Sequence, residues 1–200
     1  MVILYRETKM FKHRLQMFLF LIFFTSCLTV IHAGERVNLL KNPSFSDGFA
    51  AWRVWAPADT PQPLKFSTDP AGADGSPCVY LQGFPKSGCV FQSVEPVEYG
   101  ATYRLVFRFK TEMQTGQATG EIKYQTDKEI KPALWYETDK AHWAKSEPVT
   151  GKLDGWKTCE VEIKVPSDTN IKKIVPFIGV TGQSPEDRFF IDAVEFFIVK

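Results

Sequence analysis

The chain has 200 residues, which allows one domain or at most two small ones. Its 24 basic residues nearly balance its 23 acidic residues. Because binding to a phosphate backbone needs clustered Lys and Arg, nucleic acid is not an expected partner.

The first 33 residues have the pattern of a signal peptide. Basic residues between Lys9 and Arg14 precede an apolar stretch over 17–30, and Ala33 then stands before Gly34. An apolar stretch this short cannot cross about 30 Å of hydrocarbon as a helix, so a membrane anchor is the less favoured interpretation. We therefore expect a secreted, periplasmic or cell-surface protein, and no later segment is apolar for long enough to span a membrane.

Two alternatives within this leader remain open. Met10 is a second candidate start, because residues 1–9 add nothing that a signal requires. The segment 24–27 (FTSC) loosely resembles the box that precedes a lipid-modified bacterial cysteine, although Phe24 stands where Leu is usual. Lipid anchoring at Cys27 is therefore the less favoured outcome.

Residues 34–200 read as one domain of short β-strands. Without residues 1–33, the chain has 20 basic and 22 acidic residues, a net charge of −2 (20 − 22). The clearest strand is 102–110, where apolar and charged side chains alternate and therefore point to opposite faces. Similar runs predict strands over 37–41, 51–56, 63–67, 77–82, 88–95, 118–126, 132–137, 156–165, 172–181 and 188–199.

Turn signals separate these runs, among them Asn42-Pro43, Asp47-Gly48 and Asp154-Gly155. Many short strands at this spacing are typical of an all-β protein, here a jelly-roll β-sandwich of two antiparallel sheets. No Ser- or Pro-rich linker divides residues 34–200.

Three cysteines follow the leader. Cys78 and Cys89 lie on two short runs joined by residues 83–88, and a hairpin there would place them opposite each other. Because export permits oxidation, the sequence predicts a Cys78–Cys89 disulfide. Cys159 alternates with Val161 and Ile163, which indicates a buried free thiol.

Four motifs in order resemble the jelly-roll carbohydrate-binding modules of families four, nine and twenty-two and their galactose-binding-like relatives. They cover residues 38–196, but each motif alone has low specificity. The motifs are 38–48 (NLLKNPSFSDG) with Trp52, 90–92 (VFQ) before 99–103 (YGATY), 155–158 (GWKT) and 190–194 (FIDAV). One architecture of this kind hosts many functions, so the motifs are more specific for the fold than for the ligand.

The resemblance implies an oligosaccharide bound across one sheet or at a loop edge, and a structural calcium ion. Asp192 matches the acidic residue of the closing motif, but Ser46 stands where the opening motif usually carries Glu. Calcium prefers six to eight oxygen ligands, so Asp192 and Ser46 form a weakened candidate site. The alternative is that Asp192 only accepts backbone hydrogen bonds.

Sugar rings stack well on large flat aromatic side chains. Trp52 and Trp156 match family positions that usually pack in the core. The hypothesis is that Trp55, Trp135 and Trp143 supply a stacking surface for the glycan. Four further residues are predicted to line the same groove: Tyr80, Gln92, Arg108 and Tyr124. Ordinary packing or a loop anchor is the alternative for each of them.

The inventory of catalytic groups is poor. His142 is the one histidine after the leader, and no G-x-S-x-G elbow, zinc spacing or P-loop occurs. Glu160 and Glu162 alternate with apolar residues and indicate a solvated face. We therefore expect a non-catalytic glycan-binding module. The alternatives are a structural or protein-interaction sandwich, in which the three stacking tryptophans are buried, and a jelly-roll glycosidase or lyase, in which two carboxylates converge.

Modules of this family usually accompany a catalytic domain, and this chain leaves no room for one. We therefore expect a capture protein that acts alone or with protein partners in a surface complex.

Overall fold

The computed structural model describes residues 36–60, 64–67, 72–126, 141–167 and 171–199. Its ten strands are β1 Arg53–Trp55, β2 Leu64–Ser67, β3 Cys78–Gln82, β4 Gly88–Phe91, β5 Thr102–Glu112, β6 Gln117–Thr126, β7 Ala141–Lys145, β8 Lys157–Lys164, β9 Ile171–Thr181 and β10 Arg188–Val199. Sheet A has the order β1-β4-β9-β6-β7, and sheet B has the order β2-β3-β10-β5-β8. Every pairing is antiparallel.

Period-two alternation builds the core between the two sheets. Along β5, Tyr103, Leu105, Phe107 and Phe109 are buried, and the residues between them are only partly buried. Sheet A supplies the facing layer, which includes Val90, Ala118, Ile122, Ile174, Ile178 and Val180. The predicted all-β sandwich of two antiparallel sheets is therefore confirmed.

The opening segment is fastened to a bulge in β10. The Asn38 side chain donates to the Val194 carbonyl at 2.9 Å and accepts from the Phe196 amide at 3.1 Å. The Val194 amide also donates to the Pro43 carbonyl at 3.0 Å. β10 shifts register between Asp192 and Glu195, and this shift frees the backbone groups that the opening segment uses.

Several strand predictions need correction. Residues 37–41 are not a strand, and the Leu39 amide makes a single hydrogen bond to the Phe196 carbonyl. β7 was not predicted, because its five residues AHWAK show no clear alternation. The predicted strand at 132–137, the leader 1–33 and Cys27 lie outside the described residues. The boundary at residue 34 therefore stays a prediction. Within the described ranges, no helix is long and apolar enough to cross a membrane.

The predicted Cys78–Cys89 disulfide is wrong. Cys78 begins β3 in sheet B and Cys89 lies in β4 in sheet A, so residues 83–88 cross between the sheets instead of closing a hairpin. Cys78 is buried and Cys89 is partly buried, and neither forms a disulfide. Facing sheets stand about 10 Å apart, whereas a disulfide needs Cα atoms within about 7 Å. Cys159 is a buried free thiol, as predicted.

One close approach between the sheets involves Gly120 of β6. A methyl group added to Gly120 would lie 2.6 Å from Cε1 of Phe107 and 3.3 Å from Sγ of Cys159. The Phe107 ring therefore occupies the space that a side chain at position 120 would need. The glycine allows the aromatic core of sheet B to pack directly against the backbone of sheet A.

We predict that Gly120→Ala lowers the free energy of unfolding by about 1–3 kcal/mol, because the added methyl overpacks the core. Adding Phe107→Leu to Gly120→Ala should recover part of the loss, since the smaller side chain makes room. Urea denaturation of the wild type, both single variants and the double variant measures these terms. A stabilised Gly120→Ala protein, or strictly additive effects, would contradict this packing.

Candidate functional site

The register of sheet A aligns five residues in one row across all five strands. Arg53 of β1 is opposite Phe91 of β4, which is opposite Phe177 of β9. Phe177 is opposite Glu121 of β6, which is opposite Lys145 of β7. Directly opposite residues in an antiparallel pair share a face. Val90 and Ile178, the chain neighbours of Phe91 and Phe177, face the core. Because neighbouring side chains in a strand point to opposite faces, this row lies on the outer side of sheet A.

Parallel rows on either side carry the two exposed tryptophans. Trp55 of β1 is opposite Cys89, which is opposite Gly179, in the row beyond Phe91. Trp143 of β7 is opposite Lys123, which is opposite Val175, in the row on the other side. Eight residues of these rows form what we call the aromatic face: Arg53, Trp55, Phe91, Glu121, Lys123, Trp143, Lys145 and Phe177.

Aromatic rings run side by side from the middle of this face to its β7 edge. The Phe91 and Phe177 ring centroids lie 5.3 Å apart, and the Phe177 and Trp143 centroids lie 5.9 Å apart. Trp143 is 40 % exposed and Trp55, at the opposite edge, is 39 % exposed. Four interstrand steps of about 4.8 Å place the two edges about 19 Å apart. A linear ligand lying diagonally across the strands would therefore contact both indoles.

Charged groups surround the Trp143 ring. The Lys123 ammonium lies 4.4 Å from the ring centroid and the Lys145 ammonium lies 5.2 Å from it. Lys145 also pairs with Glu121 at 3.3 Å, and the Thr119 hydroxyl donates to the same carboxylate oxygen at 3.1 Å. Lys123 is 1 % exposed. Its burial beside an indole holds the cation in a weakly hydrated environment, where charge interactions are stronger than in water.

Two of the predicted stacking residues, Trp55 and Trp143, lie on the aromatic face. The structure brings them to the same side of one sheet, although 88 residues separate them in the chain (143 − 55). Trp135 lies outside the described residues. Trp52 is buried against Phe45, with ring centroids 4.9 Å apart, as predicted. Trp156, also expected in the core, is only partly buried.

The structure does not bring the other four predicted groove residues to this face. Tyr80 and Arg108 lie on the outer side of sheet B, where Tyr80 packs against Phe190 at 5.3 Å. The Gln92 side chain is buried and forms two hydrogen bonds with the Lys41 backbone, at 2.7 and 3.1 Å. Tyr124 faces the core and is buried. Period-two alternation predicts which side of its strand a residue occupies. It does not predict which of the two sheets contains that strand.

Sequence reasoning missed most of the aromatic face, namely Arg53, Phe91, Glu121, Lys123, Lys145 and Phe177. Phe91 and Phe177 lie in strands that were predicted correctly, but each is flanked by core residues and reads as part of an apolar run. The alternation of β4 could have identified Phe91. Val90 is buried, whereas its neighbours Cys89 and Phe91 are only partly buried and point to the opposite face. The pairing of β4 with β9 is a long-range choice that no local pattern reveals.

Asp192 and Ser46, the candidate calcium ligands, both have hydrogen-bond partners within the described chain. One oxygen of Asp192 accepts the Ala73 amide and the other accepts the Ala193 amide, both at 2.7 Å. The Ser46 hydroxyl donates to the Asn42 side chain at 3.3 Å. Within the described ranges, no three His, Cys, Asp or Glu side chains converge on a point where a metal ion could bind. Burial raises the pKa of Asp192 despite the two amide hydrogen bonds. A calcium ion at Asp192 and Ser46 stays a prediction, and nothing below depends on it.

Several carboxylates of the described chain have structural partners. Asp187 accepts hydrogen bonds from the Gln114, Thr115 and Ser184 amides and from the Thr115 hydroxyl, at 2.7–3.1 Å. Burial opposes ionisation of Asp187, but these hydrogen bonds prevail and lower its pKa. Glu160 and Glu162 lie exposed on sheet B beside Arg104, as the alternation predicted. His142 of β7 stacks on Tyr124, with the ring centroids 4.8 Å apart.

A family model for a carbohydrate binding domain matches residues 37–184. The chain belongs to this family of carbohydrate binding domains. The resemblance carried by the four sequence motifs is thereby confirmed. No curated protein matches the chain at a significant level.

Solved structures share the fold at low identity. TmCBM61 in complex with β-1,4-galactotriose is 24 % identical with a TM-score of 0.53, over 82 % of this chain and 99 % of that chain. A family 16 carbohydrate binding module is 17 % identical with a TM-score of 0.55, over 82 % and 100 %. A cyclase from Fischerella sp. TAU is 12 % identical with a TM-score of 0.55, over 82 % and 98 %. The fold therefore occurs in both binding modules and enzymes, and likeness of fold alone does not decide the function.

We predict a pH-dependent cost at Lys123. Burial lowers its pKa to about 8 from 10.5, reinforced by Lys173 and opposed by Glu121. Between these pH values the unfolded chain binds more protons than the folded chain, so the stability contribution of Lys123 rises with pH. Lys123→Met should stabilise the fold most near pH 7, and its advantage should shrink by about 1–3 kcal/mol towards pH 10, since one pKa unit is about 1.4 kcal/mol.

Urea denaturation of the wild type and of Lys123→Met at several pH values measures this difference in stability. The Tyr and Cys residues titrate in both proteins, so their contributions cancel in the difference. Lys164→Met, at an exposed position in β8, is the matched control for the loss of one lysine side chain. An advantage of Lys123→Met that stays constant or grows with pH would contradict the assignment.

Proposed function

We propose that this chain is an exported, non-catalytic glycan-binding module that binds oligo- or polysaccharide across the aromatic face. The observation that carries the proposal is the exposure of Trp55 and Trp143 on the same side of one sheet in a member of a carbohydrate binding family. A purely structural sandwich was expected to bury these indoles. Their exposure favours a ligand, since large exposed aromatic side chains are characteristic of binding surfaces.

The chemistry of the face suits a sugar chain. Trp55 and Trp143 offer rigid apolar area for the C–H faces of two sugar rings, and Phe91 and Phe177 supply an apolar floor between them. In the row of Trp55, Gly179 lies two strands away, beyond Cys89, and adds no side chain to the face. Arg53, Glu121 and Lys145 provide donors and acceptors for hydroxyl groups at both ends of the central row.

A non-catalytic role is supported by the distribution of carboxylates. Glycoside hydrolysis uses two carboxyl groups about 5–9 Å apart. Among the described residues of the aromatic face there is one carboxylate, Glu121, and it pairs with Lys145. Export is supported by the predicted signal peptide over residues 1–33, and detection of a mature amino terminus at Gly34 by mass spectrometry would test it.

We predict that Trp55→Ala and Trp143→Ala each weaken glycan binding about tenfold, which corresponds to about 1.4 kcal/mol of lost stacking. Isothermal titration calorimetry against β-1,4-galactan, xylan and β-glucan oligosaccharides measures the effect. Both positions lie in edge strands, so the fold should persist and circular dichroism should be unchanged.

Tyr80→Ala serves as the control, because Tyr80 is an aromatic residue on the outer side of the other sheet. It should leave the affinity unchanged. If Tyr80→Ala abolishes binding while the tryptophan variants bind normally, the site lies on sheet B and the proposal is wrong. If no glycan binds the wild type, sugar binding itself is wrong.

A further inference from the structure

Glu121 is the one carboxylate that the described part of the chain places on the aromatic face. Its side chain is 18 % exposed, whereas the side chains of Glu160 and Glu162 on sheet B are 58 % and 44 % exposed. A carboxylate loses hydration when it is buried, so it needs hydrogen-bond donors close by. The donors around Glu121 therefore decide what else this carboxylate can bind.

Two donors of the protein occupy one oxygen of Glu121. The Lys145 ammonium lies 3.3 Å from Oε1, and the Thr119 hydroxyl donates to the same oxygen at 3.1 Å. An ionised carboxylate only accepts hydrogen bonds, and each of its oxygens has two acceptor sites. Both sites of Oε1 are therefore taken, whereas no donor of the described residues is bonded to Oε2. The carboxylate can accept two further hydrogen bonds, and a ligand must supply the donors.

This carboxylate lies close to the stacking rings. Glu121 is directly opposite Phe177 in the register of sheet A, so their Cβ atoms are about 5 Å apart. The Lys145 ammonium links the carboxylate to Trp143, since it lies 5.2 Å from the Trp143 ring centroid and 3.3 Å from Oε1 of Glu121. Oε1 is thus at most 8.5 Å (5.2 + 3.3) from that centroid. A sugar that stacks on Trp143 and extends towards Phe177 would bring hydroxyl groups at its edge to Glu121.

A row of small side chains leads from Trp55 to the same carboxylate. Across the strands of sheet A, Trp55 is followed by Cys89, Gly179 and Thr119. These three side chains are shorter than the aromatic rings of the central row beside them, so the face is lower along this strip. The strip ends at the Thr119 hydroxyl, which holds Glu121. A glycan that lies along the strip from Trp55 would therefore reach Glu121.

From these observations we propose that Glu121 determines the specificity of the aromatic face. Its Oε2 accepts hydrogen bonds from two neighbouring free hydroxyl groups of the sugar unit that stacks on Trp143. Lys145 and Thr119 are positioning residues that hold the carboxylate through Oε1. The ligand is then a glycan whose hydroxyl groups at this unit are unsubstituted, because a methyl ether or an acetyl ester has no proton to donate and leaves the acceptor unpaired. This inference rests on the proposed function, because it concerns the same face.

The test compares free and O-methylated forms of the same glycan. Isothermal titration calorimetry uses galactan, xylan and β-glucan oligosaccharides, each before and after partial O-methylation. We expect the wild type to bind the unmethylated form of its ligand about tenfold or more tightly, because methylation removes the donors. Glu121→Ala has no acceptor at this position, so its affinities for the two forms should differ about threefold or less. Any effect of methylation on stacking is common to both proteins and cancels in the comparison.

Two variants that keep the shape of the side chain locate the effect and carry the test if Glu121→Ala does not fold. Glu121→Gln should weaken binding of the unmethylated form about tenfold, since hydrogen bonds to an ionised acceptor are about twice as strong as neutral ones. Thr119→Val removes the hydroxyl that holds Oε1 and should weaken binding of this form about threefold, with a smaller preference over the methylated form.

Glu112→Gln is the matched control. Glu112 is a carboxylate on sheet B that is 25 % exposed and lies 3.2 Å from the Lys110 ammonium, so its environment is similar but it lies on the opposite side of the sandwich. This variant should bind as the wild type does. Circular dichroism and urea denaturation of each variant measure whether the fold persists.

The outcomes separate the two proposals. If Trp143→Ala weakens binding while Glu121→Gln and Thr119→Val bind as the wild type does, the role of Glu121 is wrong and the proposed function stands. The same conclusion follows if the wild type binds both forms equally well, or if methylation weakens binding to Glu121→Ala as much as to the wild type. If Glu112→Gln loses as much affinity as Glu121→Gln, the effect is not local and the inference is wrong. If no glycan binds the wild type, the proposed function has failed as well.

Discussion

The register of sheet A is the constraint on which the proposed site depends. Side chains alternate along each strand, so a slip of one residue would turn Phe91 and Phe177 into the core and expose Val90 and Ile178. The burial of those two aliphatic residues therefore fixes which side chains reach solvent. The same hydrophobic effect that closes the sandwich holds Arg53, Phe91, Phe177, Glu121 and Lys145 in one row.

The residues that carry the family resemblance are mostly structural. The Asn42 side chain organises the turn that follows it, and the Asn42 backbone carbonyl accepts a hydrogen bond from the Trp52 indole N–H at 2.9 Å. Gln92 clamps the Lys41 backbone, and Asp192 binds the loop at Ala73. None of these side chains belongs to the aromatic face. The motifs therefore identify the fold and the family well, and they say little about which glycan the face would accept.

This division explains what the sequence could predict. The alternation of β5 and the many short runs separated by turn signals identified an all-β sandwich, and Trp55 and Trp143 were expected at the surface. The sequence could not show that β4 pairs with β9 or that residues 83–88 cross between sheets, because those choices depend on contacts distant in the chain. The mispairing of Cys78 with Cys89 has this origin, and so does the grouping of Tyr80 and Arg108 with Trp55 and Trp143, since each residue was given a face before its sheet was known.

The central claim is that a glycan lies across the aromatic face, and nuclear magnetic resonance of the indole groups tests it most directly. The five tryptophans give separate indole N–H signals, which can be assigned by single substitutions. On titration with a binding glycan, the signals of Trp55 and Trp143 should shift, whereas the signal of Trp52, whose indole is bonded to the Asn42 carbonyl in the core, should stay in place. Shifts confined to Trp52 and Trp156, with Trp55 and Trp143 unmoved, would contradict the account.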